Sequence, residues 1–229
     1  MLTIIVPVYN EKNFLSKILK KLTKIRLKKI QIIVVDDGSN DGSTKILKKK
    51  FLKNKRIDKI IFHEKNSGKG FAIKSAQKFI KGKYVVIQDA DLEYDPNDLI
   101  KIYNFISKND IKIVYGSRVL NKNKYQNTKN FTHLIRIWGN ILLTNISNII
   151  NNQKLTDAHT CYKMFEAKIF KKINLKEKGF AFCPEVTTKL SKKNYKILEI
   201  PISYKGRTYD KGKKITSMDG LIALYCLIK

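Results

Sequence analysis

The sequence predicts an α/β fold: a mostly parallel sheet with helices on both faces. Three observations lead there. Short β-prone apolar runs alternate with segments of helical period through residues 3–118. The runs are separated by helix-length connections rather than hairpin turns, which is the pattern of βαβ units. Polar clusters sit just beyond the runs, where open α/β sheets gather ligands.

Each element has a local reason. Thr3–Val8 reads as the first strand, and Phe14, Leu15, Ile18, Leu19, Leu22 and Ile25 then recur at helical spacing. Gln31–Val35 is a second strand ending in Asp36-Asp37-Gly38-Ser39, and Asp41 is placed to cap a short helix through Thr44 to Phe51. Lys59–His63 is a third strand, followed by Asn66-Ser67-Gly68-Lys69-Gly70 and a helix over Phe71–Ile80. Lys83–Gln88 is a fourth strand, Pro96 opens a helix through Phe105, and Ile111–Gly116 is a fifth strand ending at Ser117-Arg118. From Phe131 to Ile150 apolar residues repeat at three and four, predicting a long amphipathic helix that packs on the sheet or rests on a membrane surface. Ile197–Tyr204 is the last strand, leading into a basic tail, KGRTYDKGKKI.

Composition narrows the class. The chain of 229 residues fits one large α/β domain, and 43% hydrophobic residues suffice for a sizeable core. Net charge is +28, carried by 42 Lys and only five Arg. Such a field favours anionic partners, namely phosphates, nucleic acid or an acidic membrane, although many Lys simply solvate helix faces. Against nucleic acid, the basic residues are diffuse and match no recognised motif. Scarce Arg is more telling, because bidentate phosphate contacts favour it. Cys161, Cys183 and Cys226 form no CxxC pair and no zinc pattern with His63, His133 and His159, so reduced thiols are expected. The N-terminus runs almost directly into a strand, leaving no leader, and Leu221–Ile228 is too short to span a bilayer.

The most informative stretch is VVIQDADLEYDP at 85–96. Strand alternation would point Asp89 and Asp91 the same way past the sheet edge, with Ala90 between. Two adjacent carboxylates repel each other, so a cation makes sense of them. Hard oxygen ligands suit Mg²⁺ or Mn²⁺ with water and phosphate in the remaining positions, which points to diphosphate chemistry. Lys69, between Gly68 and Gly70, can meet a phosphate or a carboxylate, or stay solvated. The P-loop pattern is absent.

In order and spacing, IIVPVYNE, VVDDGSNDGS, NSGKGFAIKSA, IQDADLEYDP, YGSR, TDAHTCYKMF and GRTYDKGKKI resemble glycosyltransferase family 2, with its GT-A fold, over nearly the whole chain. Within the family the chain is similar to dolichyl- and polyprenyl-phosphate sugar synthases. The resemblance implies one GT-A domain over 1–229, with a nucleotide-sugar half at 1–118 and an acceptor half at 119–229. It implies that Pro7, Tyr9 and Glu11 lie against the nucleoside, and that Asp37 contacts base or ribose beside Asp36, which can equally cap a turn. Asp89 and Asp91 correspond to the D-x-D pair, whose metal bridges the diphosphate; Glu93 either supports that pair or is only the next alternating position, the latter being preferred. Arg118 corresponds to the residue that meets the acceptor phosphate, with Arg136 a second candidate. Arg207 and Lys213 correspond to a basic motif that closes over the diphosphate. Asp157 is a general base if the acceptor is a hydroxyl, or an orienting residue if it is a phosphate, which is already ionised. His159 and Thr160 depart from the small-residue-plus-Gly pattern of the mannose branch. Glu185 can bind a sugar hydroxyl or cap its helix.

The expected activity is inverting, metal-dependent transfer of a hexose from GDP-mannose or UDP-glucose to a polyprenyl phosphate, with Asp91, Asp157 and Arg118 central. The alternative is transfer to a sugar hydroxyl with Asp157 as base. The expected location is cytoplasmic, peripheral on an anionic membrane face.

Overall fold

The apolar runs pair as one seven-stranded sheet in the computed structural model, which describes residues 1–120, 131–207, 214 and 217–228; the side chains of 131–136 and of Ser217 are outside the described set. Lys213 and the side chain of Arg136, both expected at the site, therefore lie outside the described residues. The strands are β1 (Leu2–Val8), β2 (Ile30–Asp36), β3 (Lys59–Phe62), β4 (Tyr84–Ile87), β5 (Ile113–Ser117), β6 (Lys163–Glu166) and β7 (Leu198–Pro201). Their spatial order is β3-β2-β1-β4-β6-β5-β7. All pairings are parallel except those of β6, which runs antiparallel to both β4 and β5. The α/β class is as the sequence predicts.

The helices are α1 (Lys12–Thr23), α2 (Ser43–Ile46), α3 (Lys69–Ala76), α4 (Asn97–Lys108), α5 (Phe131–Asn151), α6 (Ala167–Lys171), α7 (Phe182–Ser191) and α8 (Ser217–Ile228). In α1 the residues Leu15, Ile18, Leu19 and Leu22 are all buried, as the three-four spacing requires. Each such burial contributes about 1.5–3 kcal/mol. β1 is buried throughout except for half-buried Pro7, and β4 is buried along its whole length. Central parallel strands covered on both faces read in this way.

The topology sets the site. β1 pairs with β2 on one side and β4 on the other, so the chain reverses its direction of growth between β1 and β4. The carboxyl ends of those strands, carrying Tyr9–Glu11 and Gln88–Asp91, therefore border one crevice.

Several expectations need correction. β6 is absent from the sequence reading and separates β4 from β5. Its Lys163 looks like a polar interruption, yet it is fully buried, donating to the carbonyls of Ala158 (2.8 Å) and Thr160 (2.6 Å) and lying over the Tyr115 ring. The last strand is shorter than Ile197–Tyr204; Tyr204 only bridges to Tyr94. Asp41 does not cap the second helix. Gly42 (φ +100°) takes that position, while Asp41 accepts from the amides of Ser43 and Lys12 and ties two helix starts together. The stretch to Phe51 continues as a π-helical turn.

Candidate active site

The site is assembled at the β1–β4 crevice from carboxylates and a few cations. β4 ends at Ile87, so Asp89 and Asp91 lie on the following turn and not on a strand. The alternation argument for their common direction does not hold, and the two take different partners. Asp89 pairs with Lys69 Nζ (2.6 Å). Asp91 accepts from Arg207 Nη2 (3.1 Å) and from the Glu93 amide (3.0 Å). Ala90 between them is buried.

Negative charge is crowded here. Burial, then Asp89 and Glu93, push the Asp91 carboxyl up to about 7. The chemistry of this set fits a hard divalent ion: two oxygen donors on one turn, short of positive charge. No group of three or more His, Cys, Asp or Glu side chains suited to a metal is found among the described residues. The other coordination positions would fall to water and phosphate.

The basic tail reaches over the same carboxylates. Arg207 makes a two-pronged contact to Glu11 (Nη1–Oε2 3.0 Å, Nη2–Oε1 3.1 Å) and lies over the Phe14 ring. Lys214 pairs with Glu11 (2.6 Å) and donates to the Tyr9 carbonyl. Glu93 is buried and holds this segment, accepting from Tyr204 Oη (2.6 Å) and the Arg207 amide (2.8 Å). Its reading as a mere alternating position misses that work; the only sequence signal is its spacing two residues past Asp91.

Asp37 is committed to the protein. Its carboxylate accepts from the amides of Ser67 and Gly68 and contacts His63 Nδ1 (2.7 Å). It thereby fixes the loop that carries Lys69. Asp36, beside it, accepts from Thr44 Oγ1 and the Ser39 amide, which is the turn-capping alternative.

Just past the end of β5, Arg118 and Asp157 form a two-pronged ion pair (Nε–Oδ2 2.6 Å, Nη2–Oδ1 2.7 Å). The Arg118 amide and Asn140 Nδ2 also donate to Asp157, which is fully buried. Burial opposes its charge, but Arg118 outweighs it and holds the carboxyl down at about 2. Glu199 on β7 accepts from the amides of Thr156 and Asp157 and so sets the turn. Arg118 lies over the Tyr204 ring, and its Nη1 makes no hydrogen bond among the described residues. Neighbouring His159 is held neutral, its pKa lowered to about 4 by burial and then Lys163. Asn140, Glu199 and Tyr204 carry no motif signal in the sequence; only the fold brings them to this pair.

Glu185 neither caps its own helix nor faces an open site. It accepts from the amides of Lys176 (2.6 Å) and Glu177 (3.0 Å).

Comparison with known proteins agrees with this geometry. The profile of glycosyl transferase family 2 matches residues 3–174. The UDP-N-acetylglucosamine–dolichyl-phosphate N-acetylglucosaminyltransferase of Methanococcus voltae is 26% identical, over 100% of this chain and 95% of that one. Glucosyl-3-phosphoglycerate synthase of Mycobacterium tuberculosis, solved with Mn²⁺, UDP and phosphoglyceric acid, has a TM-score of 0.72 at 12% identity, covering 100% of this chain and 77% of that one. A Pyrobaculum calidifontis mannosyltransferase solved with GDP-Man and Mn²⁺ has a TM-score of 0.62 at 18% identity. There the match covers 87% of this chain and 54% of the other, so the present chain spans about half of that protein. The fold is GT-A, and by its motifs and its profile match the chain belongs to glycosyl transferase family 2.

Proposed function

We propose that the chain moves a hexose from a nucleotide diphosphate sugar to a polyprenyl phosphate at a membrane surface, with inversion at the anomeric carbon. The observation that carries this reading is the state of Asp157. A general base needs access to the acceptor and a pKa near the working pH. Asp157 is buried, saturated with donors and held at about 2. Such a carboxylate suits an acceptor that is ionised already, which a phosphate is. Its work is to hold Arg118 in place to meet that phosphate. The hydroxyl-acceptor alternative, with Asp157 as base, would require Asp157 to be released from Arg118.

The attacking phosphate oxygen forms the new bond to the anomeric carbon as the bond to the nucleoside diphosphate breaks, the electron pair leaving with the diphosphate. Asp89 and Asp91 would hold Mg²⁺ or Mn²⁺, which when bound neutralises charge on the leaving diphosphate. Lys69 and Arg207, now on those carboxylates, would exchange them for phosphate oxygens. Pro7, Tyr9 and Glu11 would border the nucleoside position, while Asp37 fixes the loop at Ser67 and Gly68.

The surface supports a membrane-bound acceptor. α5, α7 and α8 pack together, and α5 and α8 leave large apolar side chains in solvent: Trp138 (70% exposed), Ile149 (82%), Tyr225 (68%) and Ile228 (72%), with Leu142, Met218 and Leu221. No helix among the described residues is long and apolar enough to cross a membrane. Lys-rich sequence precedes both helices, at 121–130 and 205–214. An apolar face with basic flanks suits the interface of an anionic bilayer. The dolichyl-phosphate acceptor in the name of the Methanococcus voltae relative points the same way.

The test is transfer of radiolabelled sugar from GDP-mannose, UDP-glucose and UDP-N-acetylglucosamine to polyprenyl phosphate in anionic vesicles with Mn²⁺. One donor should give a lipid-linked product that EDTA abolishes. Product only on free sugar hydroxyls, with none on lipid, would overturn the reading.

A further inference from the structure

Lys69 and its flanking glycines answer to a part of the molecule far away in sequence. Gly68 (φ +96°) and Gly70 do not open the loop for a ligand. A Cβ on either would fall within 3.0 Å of the carbonyl oxygens of Lys178 or Glu177. The amides of Gly70 and Phe71, at the start of α3, donate to the carbonyls of Gly179 (3.3 Å) and Lys178 (3.1 Å). The turn at 176–179 thus caps the helix on which Lys69 stands, as an N-terminus with no side-chain cap requires. That turn is itself held by Glu185, through the amides of Lys176 and Glu177. Lys189, one helical turn on, pairs with Glu185 and donates to the Asn174 carbonyl, closing the bracket.

We infer that Glu185 is a positioning residue for the donor site: by fixing the 176–179 turn it seats Lys69 on Asp89. The inference rests on the reading of Asp89 and Asp91 as the pair that holds the cation. Two otherwise separate features then share one cause, namely the need for glycine at 68 and 70 and a buried carboxylate that touches no open site.

The test is a double-mutant cycle on the full chain, read as Mn²⁺ affinity by calorimetry without nucleotide. Lys69→Met removes an ammonium 2.6 Å from Asp89 and should tighten Mn²⁺ binding roughly tenfold. Glu185→Gln should shift it the same way by roughly threefold, and by nothing further in the Lys69→Met background. Should Glu185→Gln fail to fold, Lys189→Met, at a side chain still 29% exposed, carries the same cycle. An unchanged affinity in either Lys69→Met or the Glu185 variant, or an equal Glu185 effect with and without Lys69, overturns the inference. Mn²⁺ binding that survives loss of both Asp89 and Asp91 overturns the metal reading beneath it.

Discussion

The two ion pairs at the carboxyl edge of the sheet, Lys69–Asp89 and Arg118–Asp157, are built for different ends. Arg118–Asp157 is complete: both prongs are made, further donors fill the carboxylate, and Arg118 holds it at about 2 against the effect of burial. Lys69–Asp89 is one member of a crowd of carboxylates in which Asp91 is pushed up to about 7. One pair is a finished mount that presents an arginine. The other belongs to a site short of positive charge, of the kind a divalent ion and a diphosphate complete together. The Asp89–Asp91 crevice is thus electrostatically unfinished, while Asp157 has its partners in place.

That contrast is broken most strongly at the Asp89–Asp91 crevice. Asp91→Asn should lower kcat/KM roughly 10³-fold at fixed Mn²⁺, the scale of losing metal stabilisation of a leaving group, as measured by sugar transfer. Arg118→Lys comes next. A point charge cannot reproduce the fork on Asp157, so kcat/KM for the acceptor should fall roughly 10²-fold while nucleotide binding, by calorimetry, is unchanged.

Asp157→Asn sharpens the distinction. Breaking a buried pair should cost about 3 kcal/mol in denaturant unfolding, with a loss of activity of roughly tenfold as Arg118 loosens. A loss near 10⁴-fold on a phosphate acceptor would restore the base. Acid should act through the same pair. The folded pKa of Asp157, about 2, lies below its ordinary 3.8. Its stabilisation is therefore present above pH 4 and is lost as the pH falls from about 4 to 2, a change of about 2 kcal/mol in stability measured at pH 6 and 2.5. The smallest effect is at the surface: Trp138→Ser should weaken binding to anionic vesicles roughly fivefold in flotation, with Mn²⁺ affinity unchanged.

Legibility in the sequence follows the same division. Asp89, Asp91 and Glu11 were readable because apolar runs ending in carboxylates mark strand ends; Arg207, which meets Asp91 and Glu11 there, was implied only by the family resemblance. Their partners were not readable, since the turn after β4 is set by long-range pairing and not by strand alternation. β6 was hidden by Lys163, whose burial depends on two carbonyls that only the folded loop supplies. Gly68 and Gly70 signalled a close approach, but composition cannot say that the approaching group is the backbone at 177–179. Glu199 and Glu93 act through backbone amides of distant segments, which leave no spacing signature.

The central contrast is tested most directly by diffraction at the manganese edge from crystals grown with Mn²⁺ and a nucleoside diphosphate. One anomalous peak should lie about 2.1 Å from oxygens of Asp89 or Asp91 and the diphosphate, with Arg118 still forked on Asp157. A peak away from both aspartates, or Asp157 swung off Arg118 toward the sugar position, would contradict it.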